Sequence, residues 1–126
     1  MRGLLMGTAV LLVAGAAACG PKPADGPAPV PVAVHVTNLN RSDVAVYLLR
    51  AGSRSRLGLV VSGRTTVFTV RHVRPDQMRD VQFDLQRIGA EEVYRTERVT
   101  PLPGQGIVLR IEDLLTTTVV SVREGP

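Results

Sequence analysis

From Val32 onward, apolar residues recur at every second position, and no stretch carries a convincing 3.6-residue helical period. Val32, Val34 and Val36 face one way, and Ala33, His35 and Thr37 the other. Val44, Val46 and Leu48 alternate with Ala45, Tyr47 and Leu49, which are also largely apolar, as expected of a central strand covered on both faces. Leu57, Leu59 and Val61 form a third short run, and Thr65 to Val73 a fourth, rich in β-branched residues around Phe68. Val81, Phe83 and Leu85 alternate with Gln82, Asp84 and Gln86, the pattern of a half-buried strand. Arg95, Glu97 and Arg98 blur the period over Val93 to Val99. Ile107, Leu109 and Ile111 restore it, and a β-prone tail follows from Leu115 to Val122. The one place with room for a single helical turn is Glu112 to Thr117.

Turn-forming residues separate these runs: Asn38–Asp43, Ala51–Ser55, Ser62–Arg64, Arg74–Arg79, Gly89 and Pro101–Gly106. Aromatic residues are 3% of the chain and Trp is absent, so the core must be built from Val, Leu and Ile. Seven or eight short strands with turns at sandwich-like spacing predict an all-β fold. By pattern the stretch 32–124 resembles an immunoglobulin-like or transthyretin-like antiparallel β-sandwich. The Cys-Trp-Cys hallmark of antibody domains is missing, because the chain has one cysteine. That count also excludes an internal disulfide and any multi-cysteine metal site.

The sole cysteine, Cys19, ends a leader. Arg2 supplies a positive start, and Leu4 to Ala18 is an apolar stretch shorter than the roughly 20 residues a membrane-spanning helix needs. The run Leu12-Val13-Ala14-Gly15-Ala16-Ala17-Ala18-Cys19 resembles the bacterial lipobox, with Ala16 where that family usually has Leu. The resemblance implies cleavage after residue 18, a diacylglycerol on the Cys19 sulfur and an acyl group on its new N-terminus. Several acyl chains on one residue anchor stably, where one chain binds marginally. Gly20 follows; by resemblance to enteric lipoproteins, where Asp at that position signals inner-membrane retention, the outer membrane facing the periplasm is expected. The alternative is a plain A-x-A site at Ala16-Ala17-Ala18 and a secreted or periplasmic soluble protein, which would carry an exposed free thiol. Residues 20–31, dense in Pro and Gly, read as an extended linker, so the predicted organisation is signal peptide 1–18, lipidated Cys and linker 19–31, and domain 32–124.

Chemistry-bearing motifs are scarce. His35 and His72 have no partner at metal-ligand spacing, no serine sits in a G-x-S-x-G setting, and there is no phosphate-binding glycine loop. No catalytic, metal or cofactor residue is assigned beyond the lipid on Cys19. Charge is the remaining asymmetry. Segment 41–74 holds seven arginines against Asp43 alone, whereas 75–98 holds four against six acids. Arg50, Arg54, Arg56, Arg64 and Arg71 are therefore candidate contacts for an anionic surface. Without interleaved exposed aromatics a nucleic-acid role is not expected. The expected function is a non-enzymatic, membrane-anchored envelope lipoprotein acting as a binding or assembly module, with an envelope protein as partner. The alternative is an electrostatic adaptor for anionic envelope lipids or polymers through 41–74. An enzyme is the third reading, and a deep pocket holding a histidine beside a carboxylate would favour it.

Overall fold

The computed structural model describes residues 30–71 and 73–125. Eight strands follow one another: β1 (Val32–Asn38), β2 (Val44–Arg50), β3 (Ser53–Val60), β4 (Thr65–Val70), β5 (Gln82–Arg87), β6 (Val93–Arg95), β7 (Gln105–Ile111) and β8 (Val119–Glu124). Short 3-10 turns occupy Pro75–Met78, which the sequence pattern does not announce, and Leu115–Thr117, within the stretch expected to allow a turn. The strands form two four-stranded sheets, ordered β4-β1-β7-β8 and β3-β2-β5-β6. Their inner faces bury one cluster of Val, Leu and Ile joined by Phe83 and Met78, so the protein is an all-β sandwich.

One pairing departs from the expected antiparallel pattern. β1 runs parallel to β7, with Val34 opposite Ile107 and Asn38 opposite Ile111. The chain from β1 to β7 passes through the whole second sheet, so no hairpin turn dictates the direction of that pair.

Alternation predicts the buried face well for β1, β2, β5 and β7, and fails in β3. Leu59 and Val61 are exposed while Val60 is fully buried. The register slips between Val46 and Tyr47, where a bulge near Gly58 inserts one residue and reverses the inward phase. Ser53 to Ser55, expected in a turn, are strand, and the turn is Ala51-Gly52 alone. Both its residues have positive φ, the geometry of a tight two-residue hairpin.

Register fixes the two ends of the sandwich. The first residues of β1 lie beside the last of β4, and the last residues of β1 lie beside the first of β4. In the second sheet Val44 pairs with both Val60 and Arg87. Short turns join β1 to β2 and β3 to β4, so the Asn38 end gathers residues 39–43, 61–64 and 88–92. The opposite, Val32 end gathers the β2–β3 hairpin, residues 71–81 and residues 96–104.

Buried asparagines lock the Asn38 end. Asn38 donates from Nδ2 to the carbonyls of Ser42 and Val60, each at 2.9 Å, and its Oδ1 accepts from the Asn40 amide. Asn40 donates in turn to the carbonyls of Glu112 and Asp113. A stretch readable from sequence only as a polar turn is thus the staple joining three loops. It satisfies backbone groups that burial would otherwise leave unpaired.

Candidate anion-binding site

The outer face of the second sheet carries the side chains that alternate with its core residues. Register sets Tyr47 between Arg56 and Asp84, and Asp84 opposite Arg95. Asp84 lies on the polar phase of β5, yet its side chain is only 4% exposed. Two arginines cover it. Arg95 donates from Nε to Oδ1 at 2.9 Å and from Nη2 to Oδ2 at 3.2 Å, a bidentate fork. Arg54 donates from Nε to Oδ2 at 3.2 Å, with its guanidinium carbon 3.8 Å from the centroid of the Tyr47 ring. The hydrogen bond to Asp84, and after it the attraction of the carboxylate charge, raise the Arg95 pKa above the ordinary arginine value against the opposing effect of desolvation.

One carboxylate neutralises one of two guanidiniums and orders both, so a positive charge remains at a fixed place. It opens onto a concavity of about 600 Å³ at the Val32 end of the sheet. Arg50, Arg54, Arg79, Arg95 and Arg98 line it, with Asp80 the one acid among the lining residues. Among the described residues no carboxylate lies within ion-pair distance of Arg50, Arg79 or Arg98. Arg50 is steadied instead by the sulfur of Met78, 3.8 Å from its Nη1. The unpaired guanidiniums of Arg50, Arg79 and Arg98, beside the Arg54 and Arg95 pair that shares Asp84, offer planar donors suited to phosphate or carboxylate oxygens.

The five arginines singled out by sequence are divided by the fold. Arg50 and Arg54 meet in the concavity. Arg56 shares the outer face beside Tyr47 but does not line the cavity. Arg64 is in the exposed β3–β4 turn at the far end, where its carbonyl accepts from the Asn38 amide. Arg71 is exposed just beyond β4, in the other sheet. Arg79, Arg95 and Arg98 were hidden in a segment whose charge balance is acidic. A signal for one of them was present: a hairpin centred between Gly89 and Ala90 brings Asp84 opposite Arg95.

His35 is half-buried on the outer face of the first sheet, where its Nδ1 lies 3.5 Å from Arg123 Nη1. Cys19 and His72 lie outside the described residues. A second concavity, of about 380 Å³, lies between β6 and the Leu115–Thr117 turn; Val93, Tyr94, Leu114 and Leu115 line it with Arg87 and two acids. Its charges are mixed, so it selects no ion. In comparison with known proteins, the chain matches no family model and no curated sequence.

Proposed function

We propose that this chain is a non-enzymatic envelope lipoprotein whose sandwich domain is a binding module for an anionic partner, held at the membrane by acyl chains on Cys19. The observation that carries the binding half is the convergence of Arg50, Arg54, Arg79, Arg95 and Arg98 on one concavity. This favours the electrostatic reading over a module of unspecified specificity, with the contact residues moved from segment 41–74 to the β2–β3 hairpin and the open end of the β5–β6 pair. The anchoring half rests on the leader ending at Cys19. We place the protein in the outer membrane facing the periplasm on the strength of Gly20 after the cysteine.

Two measurements test the proposal. Mass spectrometry of the mature N-terminus should find a diacylated or triacylated Cys19, and an unmodified Cys19 would refute the anchor. Titration with inorganic polyphosphate should give binding that weakens steeply with salt, because exposed charges separated by more than about 8 Å are screened at physiological ionic strength. Binding absent at low salt would refute the anionic partner.

A further inference from the structure

We infer that the anionic partner is the phosphate-bearing headgroup layer of the leaflet that carries the anchor, and that the domain lies on it with its Val32 end down. The inference rests on the anion-binding reading and names its ligand. Two independent features meet at that end of the sandwich. The first is the arginine concavity, formed where the β2–β3 hairpin meets Arg79 and Arg98. The second is the point where the chain arrives from Cys19. The Val30 amide donates to the Val73 carbonyl at 2.9 Å, and Val30 shares a small pocket with Met78, the same residue whose sulfur steadies Arg50.

Chain length makes this coincidence matter. Residues 19–29 precede Val30, and a fully extended chain of that length reaches at most about 40 Å. The anchored domain therefore stays within about 40 Å of the leaflet, and short tethers give effective concentrations on the order of millimolar. A weak electrostatic site is then sufficient, and at that concentration the nearest anionic surface is the bilayer itself.

Charge is distributed to suit that pose. Arg71, Arg74 and Arg123 add to the basic concavity at the Val32 end, against Asp76, Asp80, Asp84, Glu97 and Glu124. The far end carries Asp43, Glu91, Glu92, Glu112 and Asp113 against Arg41, Arg64, Arg87 and Arg110, the last paired with Glu112. An anionic leaflet attracts the first end and repels the second, so the field orients the domain as well as holding it.

The test uses the lipidated chain reconstituted into vesicles of phosphatidylcholine alone, or of phosphatidylcholine and phosphatidylglycerol in equal parts. It is anchored in both, so a difference reports headgroup charge. Amide hydrogen exchange should slow in the anionic vesicles at residues 50–54, 79–82 and 96–98, remain unchanged at 39–43 and 88–92, and revert at high salt. Equal exchange in the two vesicle types, or slowing at residues 39–43, would overturn the inference. Titration of the same preparation in phosphatidylcholine with inorganic polyphosphate separates the two levels. Polyphosphate binding without headgroup-dependent protection would refute the leaflet as ligand and leave the anion site standing. Neither response would refute both.

Discussion

Asp84 and Asn38 occupy similar places, polar residues sunk into a surface of small strands, and they do different work. Asn38 is satisfied entirely by backbone groups of neighbouring loops, so its loss leaves buried donors and acceptors without partners. Asn38→Ala should destabilise the protein by about 2–4 kcal/mol, measured by chemical denaturation. Asp84 is satisfied by two half-exposed cations whose charges water already screens. Asp84→Ala should therefore cost only on the order of 1 kcal/mol, while releasing Arg54 and Arg95 from fixed positions. The change also removes the carboxylate beneath the concavity, so a polyphosphate titration of that variant should show binding retained. The raised Arg95 pKa gives a sign for pH. Stabilisation from the charged form is fully present below the ordinary arginine value and is lost only as pH rises through the raised one. Denaturation midpoints should consequently show no step attributable to Arg95 at neutral pH.

At the scale of elements, the bulge in β3 joins the two sheets. A Cβ on Gly58 would stand 2.8 Å from Cε1 of Phe68, a half-buried β4 residue packed against the core. Gly58→Ala should cost roughly 1–3 kcal/mol, by forcing that ring to move and by holding a side-chain-bearing residue at a φ of 156°. Combining it with Phe68→Leu should cost less than the sum of the single changes, a coupling that a double-mutant cycle measures. The same bulge marks where sequence reading runs out. β1, β2, β5 and β7 were legible because an unbroken two-residue period has one inward phase. In β3, Leu57, Leu59 and Val61 keep a perfect period, but the inserted residue sends Val60 inward instead, and only the partner strand reveals the slip. β6 was legible as weak, and its strand stops at Arg95. Thr96 then bonds to Phe83 through both its amide and its hydroxyl. The site was half legible for a related reason. A charge tally along the chain finds Arg50 and Arg54, but Arg95 reaches the same cavity by pairing across the sheet with Asp84, and Arg79 and Arg98 by flanking the Val81–Val99 bridge.

For the whole molecule, what matters is which end of the sandwich bears the arginines, since net charge alone would attract any anion to any side. The protein's formal net charge is only +4, too small to hold a domain against a surface without local concentration. The most direct measurement is therefore a comparison of two charge-matched variants, Arg50→Glu with Arg98→Glu, and Arg41→Glu with Arg64→Glu. Both change net charge equally, and all four side chains are at least partly exposed, so the fold should tolerate either pair. Binding to inorganic polyphosphate is followed by calorimetry at about 0.1 M salt, where charges at the far end lie beyond the Debye length of roughly 10 Å. With each arginine contributing about 1 kcal/mol, removing two should weaken binding on the order of thirtyfold, and reversing their sign should weaken it further. The pair at the Asn38 end should change affinity by no more than about twofold, the residual effect of net charge across the molecule. Equal losses from the two pairs would mean that diffuse charge rather than the five-arginine concavity carries binding, and would contradict the site proposed for this protein.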